Sequence, residues 1–326
     1  MFEHLGFPTP YPVTGRASIA DLFESGSRCG LYILHFATGE FYAGQAVDVV
    51  RRYAQHRQVH QDIVSISFRC VDRSELNDTE RRLIATLERS GCRLRNIALT
   101  SIPYGPSDFD LLMDAAAQAR WLSDVTFVDD AGSRPDDPEL RRKYARKFAL
   151  LQASPHYPQA VEFLRLYARI GLPALHRGEL SFWAVSCLPE AHILARISVN
   201  WQEVCTLYVD DGKFYASLHV ADSPLRKLNR LTTSRFRSQY HLLQVQTVLY
   251  ATGGQDQRHI VAPIAAAQRM LLDARFWPAL RLFNLRLMQK GPCAYGRYHC
   301  FDLADQMLDF GTVLPRLSGD ILSDKP

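Results

Sequence analysis

The sequence predicts an α/β chain in two parts: a small sandwich, a three-stranded sheet flanked by helices, then a larger mixed α+β domain. Three observations carry that prediction. Between Gly30 and Gly91 the order strand, strand, helix, strand, helix is readable from β-branched and aromatic runs alternating with helix-periodic ones. So small a sheet needs helices over its apolar faces, which makes a sandwich. The run Asp129-Asp130-Ala131-Gly132-Ser133-Arg134-Pro135-Asp136-Asp137-Pro138 offers no apolar anchor larger than alanine and reads as a linker. Beyond it, strands lie between helical segments. The expected domains are residues 1–128 and 139–326, joined by a linker at 129–138.

Each element has a local cause. Residues 1–28 are rich in Gly, Pro and Ser, with one short amphipathic piece at Ile19–Phe23. Leu31–Phe36 has the composition of a strand, Thr38-Gly39 supplies a turn, and Phe41–Gln45 returns as the second strand of a hairpin. Asp48 caps a helix to about Gln58, because its carboxylate takes the first free backbone N–H groups. Ile63–Val71 is the third strand. A helix beginning at Ser74 or Asp78 follows, with Leu83, Ile84 and Leu87 on its buried stripe and Gly91 as its stop. A third helix, 109–122, comes after Pro103 and Pro106. Past the linker the pattern gives helices at Glu139–Gln152 and Gln159–Ile170, strands at Phe182–Cys187 and Ile193–Asn200, and a hairpin over Val204–Val220. Its two-residue turn, Asp211-Gly212, pairs Tyr208 with Tyr215, Leu207 with Ala216 and Val209 with Phe214. The final third reads as mostly helical, with Ala265–Leu272 and Ala279–Met288 the clearest segments.

Composition sets the outer bounds. A length of 326 residues suits two domains. With 47% apolar residues for cores and 22% charged residues, the chain has the make-up of a soluble globular protein. The net charge of +4 permits an anionic partner without demanding one, so the distribution of charge matters more than its total. Seven cysteines show no CxxC pair and no regular spacing, which fits reduced thiols in a cytoplasmic protein. Cys293, His299 and Cys300 match no zinc pattern. No basic start leads into an apolar run, and no stretch approaches the ~18 apolar residues that span a bilayer, so neither a signal peptide nor a membrane partner is expected.

The residues that carry chemistry lie in the first domain. Gly30-Leu31-Tyr32 puts a tyrosine on the first strand, and Tyr42-Ala43-Gly44 puts another on the second. Arg52 and His56 are four residues apart, hence on one face of the following helix, and Glu80 lies on the later helix. Hydrolysing a phosphodiester takes a base for water, a cation for the charge on phosphate, and help for the leaving oxygen. Glu80 is a carboxylate for one divalent cation, Mg²⁺ or Mn²⁺, since a single carboxylate plus waters is an ordinary magnesium arrangement. Arg52 can fork onto phosphate oxygens as lysine cannot. His56 suits a proton shuttle or a phosphate hydrogen bond. Singly, these residues have duller readings: a core tyrosine, a solvated arginine, a first-turn acid favoured by the helix dipole. Their order and spacing raise them above that.

That set resembles the GIY-YIG nuclease family over residues 28–100, under a third of the chain. The resemblance implies that Tyr32 and Tyr42 meet at the metal and orient or deprotonate the attacking water, with either one as the base. It implies one Mg²⁺ or Mn²⁺ per site, products bearing a 5′-phosphate and a 3′-hydroxyl, and Asn96 as a structural or site-supporting amide. Gly44 is expected to allow the close turn out of the second strand. Two departures stand out. Ala43 occupies the place of the isoleucine in the family's name, and only residues 57–62 separate His56 from the next strand, where many homing-type members carry more. His60 reads as surface rather than catalytic.

Domains of this family usually borrow binding from an attached module, so specificity is expected in the second domain. Between Asp222 and Asp256 no acidic residue occurs, whereas Arg226, Lys227, Arg230, Arg235 and Arg237 do. Such a run suits phosphate contacts and equally a solvated basic face. On the hairpin, Cys205, Leu207, Val209, Phe214, Ala216 and Leu218 form a core face. Thr206, Tyr208, Lys213, Tyr215, Ser217 and His219 form the other, where the tyrosines stack on bases or on each other. The expected protein is a metal-dependent endonuclease that cuts DNA of either strandedness site-selectively, in a restriction, defence or mobile-element role. A homo-oligomer is compatible with this reading. The alternatives are a non-catalytic nucleic-acid-binding protein and an RNA nuclease.

Overall fold

A computed structural model describes residues 2–96, 98–124, 127, 132–228, 237–238, 240, 242, 244–246 and 250–310. The chain divides into two units, Met1–Gly105 with Tyr250–Gln255, and Pro106–Leu249 with Asp256–Pro326. The sequence placed the boundary at 129–138 instead. The difference has a packing cause: Phe109, Met113 and Trp121 are buried in the core of the second unit. Arg134, within the expected linker, is also tied down, by Glu179 at 2.6 and 2.8 Å and by Asp305 at 2.7 Å. Residues 129–131 of that stretch lie outside the described residues.

The first unit holds β1 (Tyr11–Pro12), β2 (Gly30–Phe36), β3 (Phe41–Ala46), α1 (Val49–Val59), β4 (Ile63–Cys70) and α2 (Leu76–Arg89). Its sheet is antiparallel in the order β1-β4-β2-β3, so it has four strands rather than the expected three. The extra strand comes from the Pro-rich N-terminal segment, where Pro12 is tolerated because β1 is an edge. Central β2 is buried along its length apart from half-buried His35, because alternate residues serve two cores. Tyr32, Leu34 and Phe36 pack with Val49 and Tyr53 of α1. Leu31 and Ile33 pack with Leu76, Leu83, Ile84 and Leu87 of α2. Asp48 caps α1 as expected, accepting from the N–H groups of Val50 (2.9 Å) and Arg51 (3.1 Å). At the far end of α2, Gly91 takes the left-handed φ of 77° and donates its N–H to Glu88 O.

Strand β3 is the other edge, and its outward N–H groups are all accepted. Phe41 donates to Arg93 O at 2.9 Å, Ala43 to Asn96 Oδ1 at 3.0 Å, and Gln45 to Glu80 Oε1 at 3.1 Å. An edge closed in this way no longer offers a template for another strand.

The second unit contains α3 (Ala115–Ser123), α4 (Pro138–Gln152), α5 (Tyr157–Gly171), β5 (Trp183–Cys187), β6 (Ile193–Val199), β7 (Gln202–Asp210), β8 (Lys213–Val220), α6 (Asp222–Leu228), β9 (Gln244–Gln246), β10 (Arg258–Pro263), α7 (Ile264–Leu272), α8 (Trp277–Gln289) and α9 (Phe301–Leu308). The expected helix 109–122 is interrupted: a 3-10 turn at Asp108–Leu111 precedes α3, whose cap is Asp114 accepting from Ala117 N–H at 2.8 Å. The sheet is antiparallel in the order β5-β6-β7-β8-β10-β9. The β7–β8 hairpin has the expected register, including Tyr208 opposite Tyr215. The final third is less helical than expected, since β10 pairs with β8 from Arg258↔Val220 to Pro263↔Tyr215. An Arg-His start and a Pro end hide that strand; its place is set by the neighbour it pairs with rather than by its own composition. No helix among the described residues is long and apolar enough to cross a membrane, and the cysteines are free thiols.

Candidate active site

On the α1 side of the first sheet, Tyr32 sends its ring across β3 at the residue directly opposite, Gly44. A Cβ on Gly44 would fall 2.5 Å from Tyr32 Oη and 2.7 Å from Cζ. The glycine therefore makes room for the ring. It lies within β3, so the turn expected of it is not its task.

Tyr32 Oη lies 2.7 Å from His56 Nε2 and receives the Arg52 Nε–H at 3.2 Å. Arginine only donates, so the phenol's own proton is left to point at His56, whose Nε2 accepts it. That arrangement needs a neutral imidazole. Burial, with help from Arg52 and His60, pushes His56 down to about 4 and keeps it neutral. Tyr42 stacks over Tyr32 with centroids 6.3 Å apart and meets the His56 ring at 4.5 Å. Burial raises both phenols; the Arg52 charge opposes this at Tyr42. Exposure separates the two tyrosines. Tyr32 is only 1% exposed, whereas Tyr42 is half-buried and Arg52 is exposed. His60 is half-buried, against Phe36 at 5.2 Å and His56 at 6.1 Å, so it is a packing residue rather than open surface.

Glu80 approaches from α2 over the edge of β3. Its Oε1 takes the Gln45 main-chain N–H at 3.1 Å, and its Oε2 takes Gln45 Nε2–H at 3.0 Å. The same Nε2 donates to Asn77 Oδ1 at 2.6 Å. Burial raises the Glu80 carboxyl above its ordinary range, while the Gln45 bonds and Arg52 draw it back. The Glu80 charge in turn raises both Tyr32 and Tyr42, which puts all of these groups in one electrostatic neighbourhood. Gln45 and Asn77 escaped sequence reasoning, and the one signal for Asn77 is its position three residues before Glu80, on the same helix face.

Asn96 stands apart from this group. It is buried and bonds Ala43 twice, accepting the N–H at 3.0 Å and donating to the carbonyl at 2.6 Å. Its task is to hold the strand that carries Tyr42. Among the described residues, no group of three or more His, Cys, Asp or Glu is placed to hold a metal ion. His299 is committed elsewhere, to Glu179 at 3.0 Å and to the Val185 N–H at 3.2 Å.

The residues expected to touch nucleic acid belong to the second unit. Tyr208 and Tyr215 stack on each other, 5.5 Å between centroids and 30° between planes, and each is half-buried. Lys213, Arg226, Lys227 and Arg237 are exposed. Arg226 is paired with Asp222, and Arg237 Nε donates to Leu242 O at 3.3 Å. Arg230 and Arg235 lie outside the described residues. No protein-family model, curated protein or solved structure matches the chain.

Proposed function

We propose that the first unit is the catalytic domain of a metal-dependent endonuclease of the GIY-YIG kind, hydrolysing phosphodiester bonds in DNA. The observation that supports this best is one cluster. Tyr32, Arg52 and His56 are joined by bonds of 2.7 and 3.2 Å, Tyr42 lies over them, and the charge of Glu80 acts on both phenols. These are the groups a phosphodiester hydrolysis needs, on adjacent elements.

Roles follow from exposure and bonding. The Tyr32 hydroxyl is enclosed and engaged on both sides, so Tyr32 is a positioning residue that fixes Arg52 and His56. Tyr42, with one side open, is the phenol that meets the attacking water. Arg52 presents an exposed guanidinium to phosphate, and its fork suits two phosphate oxygens at once. Neutral His56 accepts the hydrogen bond of the Tyr32 hydroxyl, which fixes its ring in the site. Glu80 with its neighbour Asn77 fits a hydrated Mg²⁺ or Mn²⁺, which needs few protein oxygens. When bound, that ion stabilises the charge that develops on phosphate. In the second unit, Lys213, Arg226, Lys227 and Arg237 are the exposed cations that would meet the backbone of the nucleic acid.

Incubation with labelled single- and double-stranded DNA and RNA, with and without Mg²⁺, tests the proposal. Metal-dependent cutting of DNA is expected. Binding without cutting of any of the four would overturn it and leave a nucleic-acid-binding protein built on the same fold.

A further inference from the structure

Glu80 uses its two oxygens unequally. Oε1 is held by a main-chain donor, the outward N–H of edge strand β3 at Gln45, 3.1 Å away. That bond helps close the edge and cannot be given up without disturbing the strand. Among the described residues Oε2 is held by a side chain alone, Gln45 Nε2 at 3.0 Å. A carboxylate accepts and never donates, so the Gln45 carboxamide must present its NH₂ here. The same NH₂ reaches Asn77 Oδ1 at 2.6 Å. Two oxygens from residues three apart on α2 thus converge on one small, positively polarised and detachable group. Swinging the Gln45 side chain aside frees both at once. A hydrated divalent cation would find a charged oxygen to bind and a neutral one beside it to accept a hydrogen bond from its water.

We propose that Asn77 is a second determinant of a divalent-cation site at Glu80, accepting a hydrogen bond from a water on the ion. The Gln45 carboxamide is a latch that occupies the ion's place and is displaced when it binds. The inference rests on the reading of Glu80 as a cation ligand and adds to it two residues with opposite effects on affinity.

The test is Mn²⁺ binding to the full chain, without nucleic acid, followed by loss of the free ion's electron paramagnetic resonance signal. Glu80→Gln should abolish binding. Asn77→Leu should weaken it about tenfold, the lower end of what outer-shell partners contribute, and Asn77→Asp should strengthen it. Asn77 is exposed, so these substitutions leave the fold intact, and matched thermal unfolding verifies this. Gln45→Leu, which keeps the main-chain N–H, should tighten binding severalfold. Unchanged binding by Asn77→Leu, with Glu80→Gln abolishing it, overturns the role of Asn77 and leaves the proposed function standing. Weaker binding by Gln45→Leu overturns the latch. Binding that survives Glu80→Gln, or wild-type protein that takes up no Mn²⁺, overturns both.

Discussion

Gly44→Ala should dismantle the site from within the sheet. The new methyl would lie 2.5 Å from Tyr32 Oη, 2.7 Å from Cζ and 3.1 Å from Cε1, whereas ordinary contact begins near 3.4 Å. The ring must therefore retreat by roughly 1 Å, out of a core where Tyr32 is 1% exposed. Overpacking of this kind costs about 1–3 kcal/mol. The retreat also breaks the 2.7 Å bond to His56 and the 3.2 Å bond from Arg52. Leaving a buried hydroxyl unsatisfied adds about 1–3 kcal/mol. Together the loss is about 2–6 kcal/mol, read from urea unfolding of the full chain. A second readout is local: His56, held down to about 4, should titrate closer to 6.5 once its surroundings loosen, as NMR of its ring protons would record. In a Tyr32→Leu background, where the clashing atoms are gone, Gly44→Ala should cost almost nothing more. An alanine variant as stable as wild type, with His56 titrating unchanged, would refute the placement of the Tyr32 ring over Gly44.

Three further outcomes are expected. Asn96→Leu removes both bonds to the Ala43 backbone and should cost about 2–4 kcal/mol; a urea midpoint equal to wild type would show that β3 does not need it. His56 binds its proton only near pH 4 when folded but near 6.5 when unfolded, so its contribution to stability is full above 6.5 and is lost as pH falls from 6.5 towards 4. Acid titrations of stability should show that loss, and His56→Gln should make it shallower, with His35, His60, His219 and His259, also held low by burial, supplying the rest; an identical slope in the variant contradicts the neutral buried imidazole. Arg52→Lys keeps the charge but loses the Nε bond to Tyr32 and the fork, and should cut labelled DNA about 10²-fold more slowly. A lysine variant that cuts at nearly the wild-type rate would make Arg52 a surface charge.

Much of the chain was legible where a local rule decides the outcome. The β7–β8 register followed from alternation plus the Asp211-Gly212 turn, because both fix which face each side chain takes. The Asp48 cap was readable for a similar reason, since its bonds reach only two and three residues ahead. What escaped depends on distant partners. Strand β1 forms because β4 offers an edge, and β10 because β8 does. Residues 250–255 belong to the first unit through contacts such as Leu99 N–H to Ala251 O at 2.8 Å, which no nearby sequence announces. Within the site, tyrosine, arginine, histidine and glutamate were visible as chemistry. Gln45 and Asn77 were not, because Gln45 acts by bonding Glu80 and Asn77 by bonding Gln45, and an amide carries no chemical signature of its own.

That Glu80 holds a catalytic cation is tested most directly by Glu80→Gln in a cleavage assay at saturating Mg²⁺, with DNA binding measured on the same preparation. The variant should bind DNA as wild type does and cut it at least ~10²–10³ times more slowly. Near-normal cutting by Glu80→Gln, or wild-type cutting that persists when the metal is chelated, would contradict it.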